Sequence, residues 1–479
     1  MTHPVIGWER DTPIPDRAFN DLLSARDGHL FMEDLDLAAL FPGAGGDLKM
    51  ARGLTSPLEI VYLPKIRQKI AALRYIFDSV IREIGYGGKF LYTYPSKANA
   101  AEEVVRTILE TGVNYEISSA MDVDILRLLM AKGSLSAGQM IVCNGMKPAK
   151  SVYAARILQL LHEHGNVIPV IEDLQEIQPL MDAGVYMDVG LRQKSYGHSR
   201  TVRAMAAVNS RFGMSPADVW RAAEIVTTSS NLHLKLYHAM VGSQIVGAKD
   251  FVSRLRPAIE IYAQLRQRYA DLSIFNFGGG VPAPMTLDFS FDYHDFARRL
   301  LTTIQTVCGR YKVPVPDVMG EVGRYTVTEH GAHCFRVIMV KDNASAYPWY
   351  IIDGSIMTSF PDTWALGEHF VVLPLNNLDK PFRRVQLGGI TCDSDDVYPP
   401  KGSRSPLYLP AETEDLLIGF FNIGAYQEML GGVGGTKHCV VPEASELIID
   451  RHPGQEYQFR LLPGQSPNRI LGNLGYTPG

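Results

Sequence analysis

Short apolar runs alternate with longer amphipathic segments through the middle of this chain. Over residues 64–84 the apolar positions recur at helical spacing, and glycines at 85, 87 and 88 end that pattern. Eight apolar runs follow, at 90–97, 113–118, 140–144, 167–172, 185–192, 233–243, 273–280 and 316–324. Helical periodicity separates them, over 101–110, 122–131, 150–163, 174–182, 216–227, 250–270 and 291–308.

Eight strands alternating with helices predict an α/β fold of the (β/α)8 barrel type. The alternative is a doubly wound open sheet. Its dinucleotide signature, GxGxxG directly after the first strand, is absent. The barrel is therefore favoured, and it would place the chemistry at the carboxyl ends of its strands.

The segments before and after the predicted barrel differ from it in composition and in residue pattern. Residues 1–62 mix proline, glycine and charge with short apolar stretches, and we expect them to be irregular with at most one strand. Beyond residue 330, turns rich in proline, glycine and aspartate separate six β-rich runs, at 334–340, 349–352, 370–375, 384–390, 417–424 and 446–450. We therefore predict an amino-terminal segment (1–62) that packs with a β-rich domain (331–479), and a barrel (63–330) between them.

Composition narrows the function. The chain has 479 residues, 46% of them hydrophobic, and a net charge of -5. The sequence has no run of lysine and arginine that could bind along the phosphate backbone of a nucleic acid, so no nucleic-acid partner is expected. No targeting segment starts the chain and no 18 apolar residues run together, so we predict a cytoplasmic protein without membrane contact. Five scattered cysteines without a CxxC pair argue against disulfides and against a metal site.

Lys97 is the first candidate for chemistry. It ends the first apolar run, in Tyr-Pro-Ser-Lys-Ala-Asn (94–99), directly before a predicted helix. An amine that is partly desolvated there can act as a nucleophile and form a Schiff base with an aldehyde cofactor. A solvated structural lysine is the alternative, and taken alone it is the more common case.

Three glycines at 278–280 close the seventh run, and Ser243 closes the sixth. Such glycines expose backbone N–H groups that can bind phosphate, although a tight turn explains each piece equally well. Glu321, with Arg324 close by, could accept the N–H of a pyridinium ring, or the two could form a structural ion pair. Lysine, phosphate cradle and carboxylate together are the contacts that pyridoxal 5'-phosphate requires.

The β-rich domain contains Gly-Ile-Thr-Cys-Asp-Ser-Asp-Asp (389–396). We expect a thiol among carboxylates to stay protonated, so that Cys392 is a candidate proton donor. Asp393, Asp395 and Asp396 could receive a cationic substrate tail. An ordinary aspartate-rich turn is the alternative and is favoured by composition alone.

Several segments together carry a family resemblance. They are Tyr-Pro-Ser-Lys-Ala-Asn (94–99), Val-Cys-Asn-Gly-Met-Lys (142–147), Ser-Arg-Phe-Gly-Met (210–214), Val-Gly-Ser-Gln-Ile (241–245), Gly-Gly-Gly (278–280), Phe-Pro-Asp-Thr-Trp (360–364), Leu-Pro-Leu (373–375), Thr-Cys-Asp-Ser-Asp (391–395) and Gly-Ala-Tyr-Gln-Glu-Met-Leu (424–430). The chain resembles the fold-type III pyridoxal-phosphate decarboxylases, most closely the biosynthetic arginine decarboxylases. This resemblance implies an alanine-racemase-like barrel with a carboxyl-terminal β domain.

The resemblance also implies roles by position. Lys97 would hold the cofactor, with Glu116 beside it and Glu321 on the pyridine nitrogen. The cofactor phosphate would be bound by Ser243, Gly278, Gly279, Gly280 and Tyr426, and Arg324 is counted with these cofactor contacts. Cys392 would protonate the substrate carbon after carbon dioxide leaves, and Asp393, with Asp395 near it, would bind the distal cation of the substrate. In this family the cysteine and aspartate come from the partner subunit of a homodimer.

Two features depart from the family. Met240 occupies the position where a histidine usually stacks on the cofactor ring, and His238 is displaced by two residues. The chain also lacks the helical insertion and carboxyl-terminal extension of larger arginine decarboxylases, which leaves assembly beyond a dimer open. We expect a decarboxylase of arginine that yields agmatine, in polyamine biosynthesis. The alternatives are another cationic or modified substrate (ornithine, lysine, diaminopimelate or an arginine derivative) and a pyridoxal-phosphate-binding homologue without turnover.

Overall fold

The computed structural model describes residues 3–42, 54–194, 210–342 and 346–476, and the chain divides into two compact units. The barrel unit comprises Arg67–Ala283 and Ser290–Thr326. The β-rich unit comprises Met1–Ile66, Pro284–Phe289 and Val327–Gly479. The sequence placed the boundaries before residues 63 and 331 and did not assign the short segment 284–289 to the β-rich unit.

The amino-terminal part of the β-rich unit contains strands β1 to β5. They are Arg17–Ala18, Leu23–Arg26, His29–Met32, Leu35–Asp36 and Leu58–Tyr62. The first four form an antiparallel sheet, and a 3-10 helix, Ala38–Leu40, follows them. The prediction of an irregular segment with at most one strand is therefore wrong. Strands of two to four residues are too short to show a clear alternation.

The predicted barrel is confirmed. Eight parallel strands close on themselves, which excludes the open doubly wound sheet. Strands β6 to β13 are Phe90–Pro95, Asn114–Ile117, Ile141–Cys143, Val167–Ile171, Met187–Gln193, Leu232–Ala239, Ile274–Asn276 and Asp317–Glu321. A buried cluster fills the interior with Val142, Ile168, Val170, Leu236, Ile274 and Met319.

Helices α1 to α9 accompany the barrel strands. They are Leu63–Ile84, Glu102–Leu109, Ala120–Ala131, Val152–His164, Ile177–Asp182, Pro216–Thr228, Ala248–Arg268, Tyr293–Tyr311 and Arg324–Val327. Polar caps fix several starts: Ser119 and Asp122 form a capping box on α3, and Ser151 and Ser215 cap α4 and α6. These caps satisfy backbone N–H groups in the first turns of the three helices.

The remainder of the β-rich unit contains strands β14 to β23. They are Gly331–Lys341, Trp349–Ile352, Val371–Pro374, Phe382–Arg384, Gln386–Gly388, Val397–Tyr398, Tyr408–Pro410, Leu417–Phe421, Ser445–Asp450 and Gln458–Leu462. Helices α10 to α13 are Ile356–Ser359, Pro361–Leu366, Gln427–Gly431 and Pro467–Asn473. Strand β5 lies between β14 and β22, so the amino-terminal segment supplies an inner strand of this sheet.

Candidate active site

Lys97 lies where the sequence predicted, at the carboxyl end of the first barrel strand. It belongs to a 3-10 helix, Ser96–Ala98, directly after β6. Its neighbours Ser96 and Ala98 are buried, whereas the Lys97 side chain is exposed. The expected partial desolvation is therefore not seen in the single chain, and the Lys97 charge is close enough to Glu116 and Glu321 to favour the ionised form of both carboxyl groups.

Glu321, the last residue of β13, is the centre of a buried polar network. Its Oε1 accepts hydrogen bonds from the Nδ2 atoms of Asn144 and Asn276, both at 2.8 Å. Burial alone would raise the pKa of Glu321. The charges of His238 and Lys97 and the Asn144 bond outweigh burial and lower that pKa to about 2. The carboxylate is therefore ionised at neutral pH.

His238 lies inside the barrel beside that carboxylate. Its Nδ1 is 3.7 Å from Glu321 Oε1, and neither ring nitrogen has a hydrogen-bond partner in the described part of the chain. Burial lowers the pKa of His238 to about 4, despite the opposing charge of Glu321. The imidazole is therefore neutral at neutral pH, and there the ionised Glu321 depends on Lys97 and the two amides.

Met240 follows β11 and lies against the glycine loop. A Cβ atom built on Gly278 would come 2.9 Å from the Met240 Cβ and 3.1 Å from His238 Nε2. Met240 and His238 thus both border the loop, at different depths. The histidine displaced by two residues is not lost to the site; it contacts the carboxylate instead of the barrel mouth.

Glu116 on β7 is a second buried carboxyl group. Neither of its oxygens has a hydrogen-bond partner among the described residues. Burial raises the pKa of Glu116 to about 7, although the nearby charge of Lys97 opposes this shift. Near neutral pH this group can either hold a proton or release one.

The glycine loop and the Ser243 loop approach each other closely. Gly278 and Gly280 have φ angles of 72° and 96°, and a Cβ on Gly280 would come 2.2 Å from the Gly242 carbonyl oxygen. Only glycine fits there. The Gly278 N–H donates to Asn276 Oδ1, whereas those of Gly279 and Gly280 have no partner in the described part of the chain. Two of the three expected N–H groups are thus available for an anion, near an exposed Ser243.

Several polar residues of this site were not singled out from the sequence. Asn276 is the polar end of the otherwise apolar β12, and that contrast is the signal that could have found it. Gln244 joins the two loops, donating to the Ala283 carbonyl at 3.1 Å and accepting from its N–H at 2.8 Å. Arg192 donates to Glu172 at 2.8 Å, which places these two strand ends in contact.

The predicted cysteine and aspartate lie on a loop of the β-rich unit. Cys392 is exposed, and its Sγ is 3.8 Å from the Sγ of Cys439. Asp393 Oδ2 is 3.3 Å from His438 Nε2. The sequence did not predict that the segment 438–439 would meet this loop, because the two are far apart along the chain.

The other aspartates of the loop have different partners. Asp396 is buried and accepts bonds from the backbone and side chain of Thr391, from Ser355 and from the Met357 N–H. It therefore holds the loop in place and is not a candidate for a substrate cation. Asp395 lies 2.7 Å from Lys401 on the surface.

Tyr426 lies at the start of α12, in the Gly-Ala-Tyr-Gln-Glu segment, with a φ angle of 71°. Such a backbone conformation is uncommon for a tyrosine and indicates a tightly constrained turn. Gln427, the next residue, is buried and donates from Nε2 to Asp362 at 2.8 Å. The side chain of Tyr426 is partly exposed.

The barrel residues fit pyridoxal 5'-phosphate. An exposed amine, an ionised buried carboxylate and a glycine cradle that side chains would fill are the donors and acceptors that this cofactor needs. Among the described residues, no group of histidine, cysteine, aspartate or glutamate is arranged to hold a metal ion. Within that same part of the chain, no helix combines the length and apolarity needed to span a bilayer.

The chain is similar to known proteins. The model of the pyridoxal-dependent decarboxylase family, pyridoxal binding domain, matches residues 67–328. The chain is 24% identical to the biosynthetic arginine decarboxylase of Shewanella frigidimarina, over 81% of this chain and 80% of that protein.

Two solved structures share the fold. The biosynthetic arginine decarboxylase of Campylobacter jejuni has a TM-score of 0.80 at 20% identity, over 96% of this chain and 91% of that one. The diaminopimelate decarboxylase of M. jannaschii, in complex with L-lysine, also scores 0.80, at 18% identity over 96% and 99% of the two chains. Since the family model covers more than half of the chain, this protein belongs to the pyridoxal-dependent decarboxylases.

Proposed function

We propose that this decarboxylase acts on a basic amino acid, and we favour L-arginine, which would yield agmatine. The observation that carries the choice is the ordered loop that presents the Cys392 thiol and the Asp393 carboxylate side by side. Buried Asp396 holds that loop with four hydrogen bonds. The name of the sequence relative supports arginine, because the protein of Shewanella frigidimarina is a biosynthetic arginine decarboxylase.

In this proposal the barrel holds the cofactor. Lys97 would bind its aldehyde carbon, and ionised Glu321 would accept the N–H of its ring. The phosphate would lie between Ser243 and the N–H groups of Gly279 and Gly280. The further cofactor contacts would be Gly278, Glu116, Met240, Arg324 and Tyr426. When bound, pyridoxal phosphate withdraws electrons from the carbon that loses carbon dioxide.

The residues of the barrel have distinct duties. The hydrogen bonds from Asn144 and Asn276 stabilise the ionised form of Glu321. Glu321 would therefore accept the ring N–H of the cofactor as a carboxylate. Neutral His238 does not compete for that proton at neutral pH. Glu116, with a pKa of about 7, can exchange a proton next to the Lys97 amine.

The loop of the β-rich unit completes the reaction. Cys392 would return a proton to the substrate carbon after carbon dioxide leaves. Asp393 would bind the distal cation, with Asp395 near it as a weaker candidate because Lys401 lies 2.7 Å away. A pyridoxal-phosphate-binding protein without turnover is the alternative, and the exposed thiol of Cys392 argues against it, since binding alone needs no proton donor.

The proposal includes a homodimer in which each site takes Lys97 from one chain and Cys392 from the other. A cytoplasmic place in polyamine biosynthesis is part of the same proposal.

The deciding experiment is an assay of the protein, loaded with pyridoxal phosphate, on arginine, ornithine, lysine and diaminopimelate. Release of labelled carbon dioxide is measured for each. We expect release from arginine with the highest kcat/KM. If another of the four amino acids releases carbon dioxide with a higher kcat/KM, that amino acid is the substrate instead of arginine. No release from any of them would contradict the proposal and favour a modified substrate or binding without turnover.

A further inference from the structure

A cavity of about 340 Å³ opens on one face of the main sheet in the β-rich unit. Three polar side chains stand in a row across adjacent strands beneath it. Glu59 on β5 is paired in register with Glu446 on β22 and with His333 on β14. Since directly paired residues of a sheet project to the same side, these three groups share one face.

This row is costly in the protein alone. Two carboxylates at directly opposed positions repel each other. Glu59 also has no hydrogen bond and no ion pair with the described residues. Burial and the carboxylates of Glu428, Glu446 and Glu443 raise the pKa of Glu59 well above its usual range, and the charge of Lys437 opposes them.

His333 supplies a second and independent observation. Its side chain is only 7% exposed, it lines the cavity, and its Nε2 has no hydrogen-bond partner among the described residues. Burial lowers the pKa of His333 to about 3, so the ring is neutral and one nitrogen is an acceptor. A buried ring nitrogen without a partner costs free energy, and in the tautomer protonated on Nδ1 the Nε2 atom is an acceptor for a ligand that donates an N–H group.

Lys437, a cation that lines the cavity, is paired with a carboxylate other than Glu59. Lys437 lies 3.7 Å from Glu443, so its charge is directed to that carboxylate. Four carboxylates line the cavity, from Glu59, Glu428, Glu443 and Glu446, against the two basic side chains of Lys437 and Arg469. The balance is therefore negative at the row formed by Glu59, Glu446 and His333.

The occupant is an organic cation and not a metal ion. The described residues contain no group of three or more ligands arranged for a metal. A volume of about 340 Å³ is at the lower end of the range for small-molecule sites. Phe335 stacks on the His333 ring with centroids 4.4 Å apart and gives the cavity an apolar wall for a methylene chain.

We propose that this cavity binds a small organic cation whose amino or guanidinium groups donate to Glu59, Glu446 and His333. None of these three residues belongs to the proposed catalytic or cofactor set. The site therefore goes beyond the proposed decarboxylation, and it exists whether or not arginine is the substrate.

The test uses the full-length protein loaded with pyridoxal phosphate, and agmatine and 1,4-diaminobutane as probes. Binding is measured by calorimetry in the Lys97→Ala background, and because the free cofactor aldehyde there can condense with an amine, the cavity's share of the binding is the part that Glu59→Gln removes. We expect binding there, a loss of about tenfold or more in affinity when Glu59→Gln is added, and no change with the exposed control Glu412→Gln. Neutral 1,4-butanediol should not bind.

Proton release gives a second readout. The charged and titratable groups that face Glu59 are His333, Glu428, Glu443, Glu446 and Lys437. Because the Glu59 pKa is raised, a bound cation should expel a proton, and affinity should rise as the pH rises. Calorimetry in two buffers with different ionisation enthalpies measures this release, which Glu59→Gln should reduce.

Glu59→Gln alone tests folding and separates the two proposals. It removes the repulsion of Glu446 while keeping size, so the ligand-free protein should melt at or above the wild-type temperature. Its initial decarboxylation rate should equal that of wild type. Undiminished cation binding after Glu59→Gln, or no binding in the Lys97→Ala background, would overturn the cavity proposal. Loss of activity in Glu59→Gln would overturn it as well, because the cavity would then be part of the active site.

Discussion

Two glutamates, Glu321 in the barrel unit and Glu59 in the β-rich unit, show how differently the two units treat a buried carboxyl group. Glu321 accepts two amide hydrogen bonds and lies near Lys97, and its pKa is lowered to about 2. Glu59 has carboxylates as neighbours, and its pKa is raised. Burial opposes ionisation in both, so the partners decide the charge. The barrel provides a fixed negative charge, whereas the sheet provides a carboxyl group that needs a cation.

The largest effect should come from removing Lys97, the cation near Glu321 in the barrel unit. Lys97→Ala should lower activity by at least about a thousandfold, because the covalent contact is lost. The wild-type protein should absorb visible light, and borohydride should fix a pyridoxyl group on Lys97. Mass spectrometry locates the label. A label on Lys147 or Lys194 would refute the assignment; Lys147 is buried 3.4 Å from Glu176, which leaves it poorly suited to the role.

Glu116 tests whether an unpaired buried carboxyl group in the barrel behaves like Glu59. Its folded pKa of about 7 lies above the ordinary 4.5, so folding is penalised increasingly as the pH rises from about 4.5 to 7. Glu116→Gln removes a cost of up to about 3 kcal/mol above that window and none below it. Urea unfolding of the cofactor-free protein at pH 5 and pH 8 measures this. An equal gain at both pH values would contradict the pKa, and Glu412→Gln is the control.

A substitution of Asp393 tests whether the loop of the β-rich unit binds the charged end of the substrate. A charge-assisted bond to a substrate cation is worth about 1.5 to 3 kcal/mol. Asp393→Ala should therefore lower kcat/KM on the basic substrate at least about tenfold and leave the cofactor spectrum unchanged. Asp395→Ala is the matched variant on the same loop, with a smaller expected effect. If Asp393→Ala retains full activity, the specificity lies elsewhere.

The smallest effect is the partial recovery of activity expected if two chains share each active site. If the site is composite, Lys97→Ala and Cys392→Ala homodimers should each be almost inactive. Unfolding and reassembling equal amounts should give about half mixed dimers and roughly a quarter of wild-type activity, by random pairing. Each mixed dimer has one intact site. Proven subunit exchange without recovery would mean that Cys392 serves its own chain.

The sequence predicted the barrel well because each parallel strand is a short apolar run that a helix separates from the next. That local signal repeats eight times. Strand ends also gave Lys97, Glu116 and Glu321 as candidates, since a barrel gathers all of its strand ends at one edge. The resemblance supplied the roles that position alone could not.

The remaining features depend on contacts between distant parts of the chain. The two amides on Glu321 meet only when β8, β12 and β13 close into the barrel. The row of Glu446, Glu59 and His333 depends on the register of three strands that are far apart in sequence. The aspartates of the 389–396 loop could not be told apart from the sequence. In the structure Asp396 is buried, whereas Asp393 is partly exposed.

The proximity of Cys392 and Cys439 has a practical consequence for handling the protein. Both thiols are exposed and their sulfur atoms are 3.8 Å apart, whereas Cys143, Cys308 and Cys334 are buried. Peroxide can join two such thiols into a disulfide, taking two electrons and two protons from them and becoming water. A preparation stored without reductant would then lose two titratable thiols, and with them the proposed proton donor.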